Sequence, residues 1–383
     1  MSSFIVLPFN TFCLTSTTPL FQSIMIKSIH IIGSKQFGGA ENFYARLVCA
    51  LNDIGYLSLA VNRPKSTVST TFDEKVKQIH VPMRNTWDIF SILTIRRLVA
   101  KIKPEIVQTY MGRATRLTRL PPSSDTIHVS RLGGYYKIKG YYEHAHAWVG
   151  NTQDVCDYLI QQGLPAKRIY LIGNFVEIYP SKTPHAKFKL RYLLNIPREA
   201  IIIFSLGRFI EKKGFNDLLV SFAHIPDEIN GRKPFLVLAG DGPLRKKLQV
   251  QAMDLKIDKR VRWLGWQNDP GPYYDFSDIF ICPSRYEPLG NVILEAWSHH
   301  LPVISTKTKG ALSLIENGFN GVLSSCNDPD ELTVCLKETL ESGQHIWKLL
   351  AYNGEKKLLE KHSKKAVVKA YLDMYGELQN INF

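Results

Sequence analysis

Short runs of branched apolar residues recur along the chain, each closed by glycine or a polar turn and followed by apolar residues three and four apart. Residues 26–32 form the first such run, ending at Gly33. A β-branched run of this length predicts a buried strand. A loop through Gly38, Gly39 and Glu41 then leads into helical spacing over 42–51. Further strands are predicted at 57–61, 78–81, 105–110, 127–130, 147–150 and 169–172, with an amphipathic helix over 87–102. Such alternation predicts a parallel sheet with crossover helices on both faces.

The pattern lapses over 178–197, a stretch containing Pro and Lys that reads as an interdomain linker. A second series predicts strands at 201–206, 235–239, 261–264, 279–282, 303–305 and 321–323, with helices near 216–224, 244–253 and around Glu295. At 383 residues the chain exceeds one ordinary core. The expectation is an α/β protein of two doubly wound parallel-sheet domains, 25–177 and 178–363, with a cleft between them. Ligands in such sheets bind outside the carboxyl ends of the strands. Residues 1–24 do not conform: they are rich in Thr, Ser and Phe and lack the basic start of a secretion signal. They read as an extension ahead of a start at Met25.

Composition narrows the class. With 45% hydrophobic and 21% charged residues and no low-complexity tract, the chain is that of a folded globular protein. Six scattered cysteines without C-x-x-C spacing argue against a zinc site or disulfide framework and for a reducing compartment. No apolar run approaches the ~18 residues of a membrane span. The net charge of +14 is uneven: residues 84–139 hold eleven Lys or Arg against Asp88, Glu105 and Asp125. Such a block suits an anionic membrane surface, phosphorylated substrates or nucleic acid. No recognition-helix, zinc-finger or RNP-type motif is present, which argues against nucleic acid. The stretch 87–103, combining Trp87, Phe90 and Leu93 with Arg96, Arg97 and Lys101, has two readings. It covers a sheet, the commoner use, or it lies on an anionic membrane.

Candidate chemistry centres on Glu287 and Glu295, separated by seven residues in the segment from Ser284 to Trp297. A Pro-Leu-Gly turn follows Glu287, and 292–294 open a buried helix. Eight helical steps span up to roughly 12 Å, whereas paired glycosidase carboxylates stand ~5–9.5 Å apart. Side-chain reach leaves hydrolysis open, but the spacing fits better with two carboxylates gripping separate parts of one long polyhydroxylated ligand. The helix start between them offers free N–H groups to a phosphate. Arg208 directly follows a buried strand and Lys213 enters the next helix, a pair of cations suited to a diphosphate. Gly38-Gly39 lets backbone approach a ligand at a helix start. The Gly240-Asp241-Gly242 turn either shapes a nucleotide pocket or ends its strand. Neither G-x-G-x-x-G nor a P-loop is present.

Taken in order, Gly-Gly-Ala-Glu, Gly-Arg-x5-Gly, Ala-Gly-Asp-Gly-Pro, Leu-Gly-Trp and Glu-Pro-Leu-Gly-Asn-x3-Glu resemble the retaining GT-B glycosyltransferases with a Glu-x7-Glu motif (glycosyltransferase family 4). Within that family the chain looks most like bacterial enzymes that build lipopolysaccharide cores. The resemblance implies a Rossmann-like acceptor domain, a Rossmann-like donor domain, and a final helix over 364–383 returning to the first. It implies metal-independent transfer of a hexosyl group from a nucleotide-sugar, expected to be a UDP-sugar, to a glycolipid or oligosaccharide acceptor. The nucleotide-sugar is a substrate, so no cofactor is expected. Glu287 would contact the donor sugar, and backbone at Leu289, Gly290 and Asn291 would hold sugar and phosphate. Glu295 would accept ribose hydroxyls; Gly38, Gly39 and Gly242 would line the donor site. Arg208 and Lys213 would neutralise the departing diphosphate, whose developing charge fixed cations and helix-start dipoles stabilise. Where several relatives carry a His, this chain reads Arg131-Leu132-Gly133-Gly134-Tyr135, and His128 upstream reads as a sheet residue. Arg113, Arg131 and Tyr135 are the acceptor-side candidates, the two arginines for phosphate or carboxylate or as a basic membrane-facing surface. The expected location is cytoplasmic, with peripheral contact on the inner membrane. Alternatives on the same scaffold are a sugar-nucleotide epimerase, a phosphorylase or a noncatalytic nucleotide-sugar binder.

Overall fold

The computed structural model describes residues 25–36, 38–72, 74–178 and 184–381. The first half runs β1 (Ser28–Ile32), α1 (Gly39–Asp53), β2 (Ser58–Asn62), β3 (Gln78–His80), α2 (Ile89–Ile102), β4 (Ile106–Tyr110), α3 (Met111–Leu117), β5 (Ile127–Leu132), β6 (Ala147–Gly150), α4 (Gln153–Gln161) and β7 (Ile169–Leu171). The second runs α5 (Pro184–Leu193), β8 (Ile201–Leu206), α6 (Phe215–Ala223), β9 (Pro234–Ala239), α7 (Arg245–Asp254), β10 (Val261–Gly265), α8 (Gly271–Phe276), β11 (Ile279–Cys282), α9 (Asn291–Ser298), β12 (Val303–Thr306), α10 (Lys309–Leu314), β13 (Val322–Ser324), α11 (Pro329–Glu341) and α12 (Gly343–Lys357). A π-helical turn over Leu358–His362 then leads into α13 (Lys364–Gln379).

The strands form two parallel sheets, ordered β3-β2-β1-β4-β5-β6-β7 and β10-β9-β8-β11-β12-β13. Every residue of β1, β2, β4, β5 and β6 is buried, as in a parallel sheet covered on both faces, and polar residues such as His30, Gln108 and His128 are buried with the rest. Strand order reverses between β1 and β4 in the first sheet and between β8 and β11 in the second. At such switch points the loops leaving adjacent strands diverge to opposite faces and open a crevice.

One face of the first sheet packs on α1 through Phe43, Leu47 and Leu51, together with Val367, Tyr371, Met374 and Tyr375 of α13. Ile95 and Val99 of α2 cover the other face. The last helix therefore belongs to the first core. The chain crosses between domains twice, side by side: Val176 and Ser363 form a parallel bridge, and Val176 N donates to His362 O at 3.3 Å. The stretch read as a linker over 178–197 contains α5, because Leu190 packs on the second core and Arg191 Nη1 donates to Pro197 O (3.0 Å) and Ala200 O (3.1 Å). The extension over 1–24 lies outside the described residues.

Candidate functional site

Three loops at the carboxyl edge of the second sheet interlock before any ligand is considered. Gly207 N donates to Ala239 O (3.0 Å) and Phe209 N to Asp241 O (2.9 Å), joining the loop after β8 to the glycine turn after β9. A Cβ on Gly242 would stand 2.6 Å from Phe209 O, so this glycine is required by loop-on-loop packing. Gly214 caps α6 in the left-handed conformation (φ 66°), and a Cβ there would lie 1.9 Å from Pro283 O. Only glycine satisfies both conditions. Arg285 N and Tyr286 N donate to Lys212 O (2.9 and 3.1 Å), while the Arg285 guanidinium grips Asp217 bidentately at 2.7 and 2.8 Å.

These contacts clamp the 207–214 loop against the β11–α9 loop and set Lys213 beside Glu287, with Nζ donating to Oε2 in a partly buried pair. Arg208 stands exposed just beyond the end of β8, its side chain making no hydrogen bond or ion pair among the described residues. Gly290 opens α9 in the left-handed conformation (φ 68°) and no side chain caps the helix; Ile293 N and Leu294 N donate to Gly290 O, which leaves the N–H groups of Asn291 and Val292 for an anion. Gly310 N donates to Glu287 O at 2.8 Å and holds α10 over the Leu289–Gly290 turn.

Further along α9, Glu295 Oε2 accepts a hydrogen bond from Tyr274 Oη at 3.0 Å. Glu295 lines a cavity of about 230 Å³ that Asn42 and Arg46 of α1 close from the first domain. Burial raises the Glu295 pKa above the usual carboxylate range; the Tyr274 hydroxyl and the Arg46 charge pull it down, and the Glu287 charge adds to the rise. The two carboxylates therefore feel each other's charge. Tyr274 is itself fixed by a stack on His299 (centroids 5.2 Å apart, 9° between planes), whose Nδ1 bonds Asp275 Oδ1 at 2.5 Å.

On the first domain, a Cβ on Gly39 would meet nothing within 4 Å, leaving the start of α1 open on that side. The Glu41 carboxylate is buried beside Gly38. Arg113 Nη1 donates to Gly33 O (3.1 Å) and Met83 O (3.4 Å), so it gathers the loops after β1, β3 and β4 at the switch point. Burial raises the Tyr136 pKa; Arg131 opposes this, while Glu41 and then Tyr286 of the second domain add to it. Tyr136, Glu41 and Tyr286 thus share one electrostatic neighbourhood across the cleft.

Two acceptor-side candidates sit differently from the sequence reading. Arg131 is only 5% exposed: Nε donates to Tyr371 Oη (2.9 Å), Nη2 to Asn174 Oδ1 (2.6 Å), and the guanidinium lies 3.7 Å from the Phe43 ring centroid. Asn174 in turn donates to Asn291 Oδ1 at 2.9 Å, so Arg131 ties α13 and α1 to the start of α9. Tyr135 Oη accepts from Lys309 Nζ (2.8 Å), and Lys309 pairs with Asp154 (3.1 Å), a bridge from α10 to α4 across the cleft. His128 is buried against Thr109 Oγ1 at 2.9 Å, its pKa held well below the usual value by burial and by His144 and His146. Tyr274 and Arg46, which oppose the effect of burial on Glu295, carry no local sequence signal, because their role exists only after α8, α1 and α9 have packed.

Comparison with known proteins places these features in context. The pattern of the family described as Glycosyl transferases group 1 matches residues 187–369. The lipopolysaccharide core biosynthesis glycosyltransferase LpsE of Rhizobium meliloti is 30% identical over 339 residues, covering 88% of this chain and 95% of its own length. A crystal structure of a glycosyltransferase from Rickettsia africae superposes with a TM-score of 0.81 at 19% identity, covering 93% of this chain and 99% of that one. Anabaena Alr3699/HepE, crystallised with UDP and glucose, superposes with a TM-score of 0.74 at 19% identity, over 92% of this chain and all of its own (100%).

Proposed function

Because the chain belongs to the group 1 glycosyl transferases, we propose that it moves a sugar with retention, and without a metal, from a UDP-sugar to a saccharide acceptor of a bacterial envelope glycolipid such as lipopolysaccharide core. The observation that carries this reading is the Lys213–Glu287 pair beside the uncapped start of α9, with Arg208 unpaired on the same sheet edge. A diphosphate fits between two cations and a helix start, and a sugar hydroxyl fits the free oxygen of Glu287. Ribose hydroxyls fit Glu295. The likeness to a lipopolysaccharide core enzyme over most of both chains supports the acceptor class.

In the reaction the bond between the anomeric carbon and the β-phosphate oxygen breaks, and a bond to the acceptor oxygen forms on the same face. The acceptor proton passes to the departing phosphate. Arg208, Lys213 and the α9 N–H groups stabilise the charge growing on that phosphate, the role a metal fills elsewhere. Donor on the second domain and acceptor on the first make closure of the cleft the step that assembles the site and expels water.

The test is a panel of UDP-sugars screened for thermal stabilisation, followed by NMR of any glycoside formed with envelope saccharides. A stabilising UDP-sugar and a product keeping the donor's anomeric configuration are expected. Inverted product contradicts the proposed stereochemistry. Donor changed without acceptor indicates an epimerase, and binding without product across the acceptor panel indicates a noncatalytic binder.

A further inference from the structure

Four side chains from two helices interlock behind the Glu295 carboxylate. Glu295 and His299 stand four residues apart, on one face of α9 and its carboxyl cap. Tyr274 and Asp275 are neighbours on α8. Tyr274 Oη donates to Glu295 Oε2 at 3.0 Å, and His299 Nδ1 meets Asp275 Oδ1 at 2.5 Å. The Tyr274 and His299 rings join these two bonds, lying face to face and 9° from parallel. A carboxylate can only accept, so the proton of the second bond sits on Nδ1.

These contacts fix how the tyrosine hydroxyl is aimed. Oη lies on the long axis of its ring, so its place depends on the tilt of the ring and not on rotation about that axis. Phe204 packs edge-on against the ring at 5.0 Å and Phe280 lies tilted at 5.2 Å, which together hold it in depth. The flat imidazole of His299 sets the tilt. Asp275 holds that imidazole by Nδ1, and its opposite edge faces Gly271, where a Cβ would stand 3.6 Å from Cε1 and 3.9 Å from Nε2. His299 also lines the cavity of about 230 Å³ that holds Glu295.

Stability is a weak reason for such a pair. Tyr274, Asp275 and His299 are 1%, 7% and 9% exposed. Taking an acid and an imidazole out of water costs about as much as their attraction returns, and apolar residues of similar volume hold a core equally well or better. What the polar pair adds is a fixed orientation for the group in front of it, the support that a binding carboxylate needs to stay in its productive geometry.

We propose that Asp275 and His299 are positioning residues for the nucleotide: through Tyr274 they aim the Glu295 carboxylate at the ribose hydroxyls and make the protein discriminate ribose from deoxyribose. This role rests on the proposed function, in which ribose binds Glu295. Neither residue touches the nucleotide. Without the pair, Tyr274 is free to tilt, and Glu295 keeps its place on α9 but loses its aim. Hydrogen bonds weaken steeply once their angle falls below ~120°. A carboxylate that swings therefore loses the hydroxyls, while the diphosphate contacts at Arg208, Lys213 and the start of α9 stay as they were.

The experiment is calorimetric titration of the full-length protein with UDP and with 2′,3′-dideoxy-UDP, read as the ratio of the two dissociation constants. Wild type should prefer UDP by at least about tenfold, the contribution of a hydroxyl bonded to a charged acceptor. Glu295→Ala sets the floor, with no preference. His299→Phe keeps a ring against Tyr274 and removes its anchor; Asp275→Ala keeps the imidazole and frees it. Both should bring the ratio close to the floor while affinity for dideoxy-UDP stays at the wild-type value. Asp275→Asn retains an accepting oxygen and should retain the wild-type ratio. A pair with a purely structural role would lower the melting temperature of both variants and leave the ratio unchanged, and that result overturns the positioning role while the ribose reading stands. Absence of preference in wild type overturns the ribose reading and the positioning role together. If Asp275→Ala does not fold, His299→Phe decides on the same ratio.

Discussion

Replacing Tyr274 by phenylalanine removes one oxygen and tests whether Glu295 is a working acceptor of hydrogen bonds. The ring should stay in place, since it is 1% exposed and wedged between Phe204 (5.0 Å, edge-on) and the His299 stack. The loss is the hydroxyl donated to Glu295 Oε2 at 3.0 Å. A hydrogen bond to a charged acceptor contributes about 1.5–3 kcal/mol. Burial already holds the Glu295 pKa high, and Tyr274 works against that rise, so the substitution moves the pKa further up. Ribose hydroxyls bond the ionised carboxylate best. UDP affinity should therefore fall as pH drops through the Glu295 pKa, with this acid limb shifted upward in the variant. The stability sign follows the same shift. A carboxyl with a raised folded-state pKa contributes stability that is fully present below its unfolded pKa and lost as pH rises through the folded one. The variant should thus melt below wild type near neutrality and match it in acid. Calorimetric titration of UDP across pH, with parallel melts, measures both effects. Superimposable affinity profiles for variant and wild type would refute the reasoning.

Glu287→Ala should lower transfer at least about 100-fold while shifting the melting temperature by no more than about 4 °C, because the pair it breaks is only partly buried; near-normal turnover in a rate assay would count against the donor reading. Gly214→Ala should lower kcat by about 100-fold or more, since a Cβ 1.9 Å from Pro283 O must part the loops that set Lys213 beside Glu287. A variant with wild-type rates and melting temperature would show that this clamp is dispensable. Arg131→Met should cost about 2–4 kcal/mol by leaving Tyr371 and Asn174 without their donor, read by denaturant unfolding. An unchanged midpoint with a raised acceptor KM would return Arg131 to the acceptor site.

The strands were legible because parallel strands buried on both faces are predominantly apolar, as in β9 and, apart from Ser205, β8. Loop chemistry at their ends was legible too, since Arg208, Lys213 and Glu287 each follow a strand within a few residues. Short helices were not. The periodicity of α5 is weak, and its hold on the fold comes from Leu190 on the second core and from Arg191 reaching two carbonyls. The surroundings of Arg131 were hidden for a related reason. A cation near a strand end reads as facing a ligand, yet its Tyr371 partner lies 240 residues away on a helix that returns to the first core. The same distance in sequence hid Tyr274 and Arg46, whose effect on Glu295 is purely tertiary.

The most direct test is a crystal structure of the protein with a UDP-sugar bound. The account predicts phosphates between Arg208, Lys213 and the first turn of α9, ribose on Glu295 and the sugar against Glu287. A nucleotide seated away from these four side chains would contradict it.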